Sequence, residues 1–414
     1  MKPVCLLFIS SLLLHSAHAQ TKQSLPRTFG VKVTNPLPAD RENVLVVISP
    51  AQLKSIQGFN PKGFVVMHGD EEIPSQYNAR DDRNGGIAFV IPKLAPSEKR
   101  TFTIRYDPSA NVQREYKKLT QAELSHKTGG AWNNREYKGG TFVNVASLRV
   151  PPEHKDHSWF IRYEGPGWES DKVAYRFYLD QRNATDVFGK TVPDLVLQRV
   201  GHDGFDSYHN LQPWGMDVMK VGPSLGIGSI GAWVDGSVTR VEKTDSVYAT
   251  IQENGALYSS VRTDYYGWKA GEKKSNTHSF ISIHAGTRLT RQVIVTSTNM
   301  DNLCTGIVKD PKATKLQDAG SKNRYGYLAT FGPQSLNNDN LGLAVFFKAA
   351  DLSGLTEDAN SHVVRLKPFQ NTVEYFYAAA WEKEPDGIRD QAGFEAFLKK
   401  TAEELANPVK VEIE

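Results

Sequence analysis

The chain has 414 residues, 39% of them hydrophobic and 23% charged, with a mean hydropathy of −0.44, a composition that excludes a disordered chain and suits a large folded core. Lys and Arg number 49 against 46 Asp and Glu, a formal charge of +3, so no overall field favours nucleic acid or an anionic membrane surface. The one long apolar run, Val4 to Leu14, follows Lys2 and precedes Ala17-His18-Ala19, which predicts a cleavable secretory signal and no membrane span.

Cleavage after Ala19 would leave Gln20 as the mature N-terminus of a periplasmic or secreted protein. Cys5 would leave with the signal and Cys304 would remain alone, so no internal disulfide is expected. The remainder divides into an N-terminal β-sandwich portion, residues 20–110, and a larger β region with a C-terminal helix, residues 111–414.

In the first portion, Thr28–Thr34, Val44–Ser49, Gly63–Met67, Ile87–Ile91 and Thr101–Tyr106 are short β-branched runs. Pro, Gly, Asn and Asp separate them, as in an antiparallel sandwich. The polar stretch Val112–Ser125 reads as a short helix or a linker. From Phe142 onward apolar and polar residues alternate with period two through many segments, without a βαβ rhythm or a fixed repeat. Near the end, Ala392, Phe394, Phe397, Leu398, Ala402 and Leu405 recur at helical spacing within Ile388–Ala406, which predicts one amphipathic helix packed on the sheets.

Chemistry-bearing side chains concentrate between His154 and Lys220. Along Lys172–Arg182, a predicted strand, Arg176, Tyr178, Asp180 and Arg182 share one face. That face is either a solvated exterior with cross-strand ion pairs or the polar floor of a cleft. The loop His202-Asp203-Gly204-Phe205-Asp206-Ser207-Tyr208-His209 is densest, two imidazoles beside two carboxylates and a phenol, the materials for a base, an orienting partner and an acid. His and Asp there could instead ligate zinc or calcium, although the spacing matches no metal motif. Apart from such a metal no cofactor is expected, and no Walker loop, dinucleotide fingerprint, GxSxG elbow or HExxH helix is present. Rings interleaved with carboxylates and guanidiniums suit a sugar, whose apolar faces stack while its hydroxyls and acid groups are gripped.

Glu164-Gly-Pro-Gly-Trp-Glu-Ser-Asp-Lys-Val173, Tyr175-Arg-Phe-Tyr-Leu-Asp180, Asp203-Gly-Phe-Asp-Ser-Tyr-His209 and Trp214-Gly-Met-Asp217 resemble a family of secreted bacterial proteins known as a domain of unknown function that accompanies pectin- and ulvan-degrading enzymes. The likeness covers nearly the whole mature chain. It implies an antiparallel β-supersandwich like that of mutarotases and polysaccharide lyases, and β-elimination on uronate-containing oligosaccharides, of the dehydratase or lyase type. Removing the proton beside a uronate carboxylate requires that carboxylate to be neutralised, a base at the carbon and an acid at the departing oxygen. The expected assignment is His202 or His209 as base, Asp203 as its orienter, Tyr208 as acid and Arg176 as neutraliser. Trp168 or Trp214 would be the stacking surface, with Glu169, Asp171, Tyr178, Asp180, Arg182 and His157 completing the sugar site. Two alternatives stay open. A glycoside hydrolase would draw a carboxylate pair from Glu169, Asp171, Asp180, Asp203 and Asp206, and a noncatalytic glycan-binding protein would use the same aromatics.

Overall fold

A computed structural model describes residues 25–321 and 324–414; the expected signal and its cleavage point lie outside them. The N-terminal runs form two facing antiparallel sheets. One has the order Lys410–Ile413, Arg27–Thr34, Lys99–Tyr106, Phe64–His68 and Glu71–Ile73, and the other Arg41–Ile48, Gly86–Leu94 and Ser75–Asn78. Alternation sends Val31, Val33, Val46, Ile48, Phe89 and Ile104 into the space between them, where they are fully buried. The tail departs from the expected division. Val31 pairs with Ile413 and Val33 with Val411, so the final strand, grouped by sequence with the large region, extends the N-terminal sandwich.

Residues 111–119 carry no regular structure and Thr120–Glu123 is a strand, so the polar stretch forms a connection and no helix. The large region is built on a nine-stranded antiparallel sheet, in which Lys273–His284, Leu289–Thr296, Thr372–Trp381, Leu341–Lys348 and Tyr325–Gly332 are successive neighbours. Two five-stranded sheets cover its inner face. The shared core takes Trp168, Tyr175 and Val187 from one of them, Ala232, Ile307 and Val364 from the other, and Tyr265, Leu343 and Tyr377 from the large sheet. This is the expected mostly β sandwich architecture. The outer face of the large sheet carries the helix Gln391–Ala406, whose Phe394 and Leu398 are buried against Phe331, Phe346 and Ala378. Asp390 caps that helix by accepting from the Gly393 N–H at 2.7 Å. Among the described residues no helix is long and apolar enough to cross a membrane, and Cys304 is buried and free.

Candidate functional site

The site is built on one five-stranded sheet with the order Gly215–Asp217, Thr185–Lys190, Ala174–Phe177, Gly167–Ser170 and Thr120–Glu123. Its pleat separates two chemistries. Trp168, Tyr175 and Val187, paired across three strands, face the main core. Arg176 and Asp186, directly opposite each other, face away from it together with Phe188 and its partner Asp217. That second face is covered as well. Tyr163, Leu197, Val200 and Tyr208, from the segments before and after these strands, pack on Ala174 and Phe188. Gly167 makes the cover possible, because a Cβ there would meet the Tyr163 hydroxyl at 2.9 Å.

Under this cover Arg176 is almost fully buried and surrounded by acceptors. Its Nε and Nη2 donate to Asp186 Oδ2 at 3.1 and 2.8 Å, Nη2 also to Asp217, and Nη1 to the Tyr208 hydroxyl at 2.9 Å. Glu164 lies 3.8 Å from Nη1. A second guanidinium, Arg182, holds Asp180 at 2.5 Å, Glu164 at 2.6 Å and Asp156 at 2.8 Å. Carboxylates thus outnumber guanidiniums, with Asp156, Glu164, Asp180, Asp186 and Asp217 around Arg176 and Arg182. The excess negative charge has a predictable consequence for protons. Burial, then the charge of Asp217, pushes Asp186 up to about 7. Burial alone would raise Glu164 too, but the two guanidiniums and the His157 N–H hold it below the ordinary carboxylate range.

The network opens into a cleft of about 390 Å³ whose wall includes Arg176, Tyr178, Asp186, Asp217, His209 and Lys220. Tyr178 donates its hydroxyl to Asp186 at 2.5 Å. His209 stands at the mouth, 42% exposed, with Nε2 3.4 Å from Asp217 Oδ2. Its pKa is raised, chiefly by the hydrogen bond to Asp217. Lys220 is exposed on the rim and, among the described residues, makes no ion pair. An imidazole with an orienting carboxylate, a carboxyl group that titrates near neutrality and an unpaired ammonium therefore share one opening.

The expected site residues separate accordingly. Arg176, Tyr178, Arg182 and His209 converge on the cleft, with Asp180 held behind it by Arg182. Arg176 does not serve as a free clamp for a substrate carboxylate, because its donors are committed to Asp186, Asp217 and Tyr208. Tyr208 is buried behind His209, its ring 4.7 Å from the imidazole. His202 turns elsewhere, its Nε2 2.9 Å from Arg162 Nη1, and Arg162 is itself the partner of buried Glu123. Asp203 orients no imidazole; it accepts from Ser207 at 2.7 Å. Asp206 sits exposed on the same loop, its carbonyl accepting from Asn210. Trp168 offers no stacking face, since period two sends it inward, where it stacks on Tyr175 and donates to Thr290 at 2.9 Å. Trp214 is half-buried with its edge against Phe188. Glu169 is fully buried, bound to Lys190 at 3.0 Å and to the N–H groups of Val196 and Leu197. Asp171 accepts from the Gly286 N–H at 2.6 Å, on the other side of the sheet stack.

His157 is exposed and 2.8 Å from Asp156. These two and Glu164 could approach one ion, but Arg182 already occupies Asp156 and Glu164, so the group does not fit a divalent metal. His202, Asp203 and His209 have separate partners and form no zinc or calcium set either. Sequence reasoning missed Asp156, Glu164, Asp186, Asp217 and Lys220 as site groups. A signal existed for Asp217, the one charge of its short strand segment Gly215–Asp217, since a lone charge in such a setting is buried only with a partner; Asp186 shares its strand with Lys190.

A family model described as "Domain of unknown function (DUF4861)" matches residues 33–411. No curated protein matches the chain. Among solved structures, an alpha-mannosidase from Enterococcus faecalis V583 is similar with 7% identity and a TM-score of 0.47, over 94% of this chain and 46% of that one. A protein in the glycosyl hydrolase family 38 from Enterococcus faecalis gives 8% identity, a TM-score of 0.45, and coverage of 94% and 47%. The chain spans about half the length of either, and neither likeness bears on its chemistry.

Proposed function

The chain belongs to the DUF4861 family, and we propose that it is a carbohydrate-active enzyme that eliminates water or a sugar from a uronate-containing oligosaccharide. The observation that carries this reading is the convergence of His209 with Asp217, Asp186 with Tyr178, and unpaired Lys220 on one open cleft. Lys220 pairs with the uronate carboxylate, which favours the enediolate that forms as the neighbouring C–H bond breaks. His209, oriented by Asp217, takes that proton. The electron pair forms the C4–C5 double bond, the C4–O bond breaks, and the proton of Asp186 goes to the departing oxygen. Arg176 keeps Asp186 and Asp217 in place, and Tyr208 is a positioning residue behind the imidazole. The resemblance in the Glu164–Val173 and Asp203–His209 motifs supports the substrate class.

Hydrolysis is the second reading, favoured by the pair Asp186 and Asp217 on one guanidinium nitrogen with one carboxyl titrating near neutrality. Mass spectrometry of products from a panel of uronate oligosaccharides separates the two. Elimination yields a product lighter by one water, or a cleaved pair whose masses sum to the substrate; hydrolysis adds one water. Binding without any product would sink both.

A further inference from the structure

A second cavity, about 670 Å³ and larger than the cleft, lies on the opposite side of the sheet stack. Its floor is the outer face of the nine-stranded sheet. Arg291 is opposite Phe376 there, and Lys348 is opposite Tyr325. The roof comes from the strand Arg41–Ile48 of the N-terminal sandwich and from the last turns of the helix Gln391–Ala406. The charges on the floor do not balance. Glu374 is held by Arg291 at 2.6 Å and by Lys348 at 2.8 Å, so two cations share one carboxylate; Asp351 is the one further acid whose charge reaches Lys348 and Tyr325, and Arg324 adds a third cation to the lining without an ion pair among the described residues. The acids of the roof are answered locally, Glu42 by Lys400 at 3.7 Å and Glu404 by the charge of Arg41. Beside the cations, the rings of Tyr325 and Phe376 meet edge to face at 6.1 Å.

We infer that this seam cavity is a second glycan site, which binds the acidic end of an oligosaccharide with its carboxylate on Arg291 and Lys348 and a sugar ring against Tyr325 and Phe376. Surplus cations call for an anionic ligand, and rings flanked by hydrogen-bonding groups fit a pyranose better than an acyl chain. The choice of an acidic saccharide rests on the uronate reading of the cleft. The site itself rests on its own residues. It would hold a polymer on the enzyme while another end enters the cleft, which raises local substrate concentration without contributing to the chemical step.

The test is calorimetric titration of the His209→Ala protein, which should not turn substrate over, with a galacturonate trisaccharide and with its neutral, carboxyl-reduced counterpart. Two trisaccharides per chain are expected. Arg291→Ala, or Ala350→Trp, which fills the cavity from its exposed rim without touching the ion pairs, should leave one. The neutral sugar should not enter the cavity. With His209 intact, both variants should keep the turnover of a short substrate. A single binding event that neither variant changes, two events that persist in both, or equal cavity binding of the neutral sugar would overturn the inference. Cavity binding that is lost in both variants, on a protein with no turnover of any uronate, would uphold this site while removing the reading of the cleft.

Discussion

His209 and Asp186 both bind their protons more tightly than free side chains do, for different reasons. The imidazole is half exposed and owes its raised pKa first to the hydrogen bond with Asp217. Replacing Asp217 by Asn removes that cause, so the imidazole should release its proton at lower pH. Since the base acts in its free form, the acid limb of the pH–rate profile should move to lower pH in Asp217→Asn, along with a fall in kcat, and an unmoved limb would show that another group sets it. Asp186 is raised to about 7 from an ordinary 3.8, by burial and then by the charge of Asp217. The folded protein therefore holds a proton that the unfolded chain has lost above its own pKa. The resulting stabilisation is complete below the unfolded value and disappears as the pH rises through about 7. Denaturant unfolding between about pH 4 and pH 8, the window of this linkage, should show a decline that is shallower in Asp186→Asn. At this scale the sequence was partly legible. His209, Arg176 and Tyr178 could be picked from local density, whereas Asp217 and Lys220 reach the cleft only because the chain returns through Thr185–Lys190 and Gly215–Asp217, a pairing that no local pattern announces.

The site sheet shows how far period two carries an argument. Alternation correctly separated Arg176 and Tyr178 from Tyr175 and Phe177, but it could not say that both faces would be covered. The strand also ends at Phe177, and Asn183, with φ of 42°, helps to turn the chain back toward Thr185. Tyr178–Arg182 is therefore a turn whose side chains reach the network from outside the ladder. Trp168 marks the cost of assigning aromatics by composition, since an indole near Gly and Glu looks like a sugar platform until the pleat is drawn. Its burial against Tyr175 predicts that Trp168→Ala destabilises the fold by about 3–5 kcal/mol, the usual range for deleting a large core ring. KM of the protein that remains folded should be unchanged. A several-fold rise in KM with no loss of stability would return Trp168 to the substrate site.

Across the whole molecule, the alternating runs, the proline turns and the terminal helix were readable because each is a local pattern of apolar residues. The exception is the tail. Lys410–Ile413 falls by sequence in the large region, yet it pairs with Arg27–Thr34 from the opposite end of the chain, and its Val411 and Ile413 pack on the N-terminal core. Removing residues 408–414 should uncover that edge and lower the melting temperature of the N-terminal sandwich, with kcat on short substrates kept in the protein that stays folded; an unchanged melting curve would show that the strand adds nothing. The cleft and the seam cavity lie on opposite sides of one sheet stack, so the two can be probed separately. Elimination by this cleft is tested by the ultraviolet absorbance of conjugated, unsaturated uronate, followed as uronate oligosaccharides are incubated with the wild type and with His209→Asn. The wild type should build up this band, and loss of the imidazole should slow it by about 10²–10⁴-fold while the folded state is retained. An absorbance that rises equally fast in His209→Asn, or products that form with no such band, would contradict elimination by this cleft.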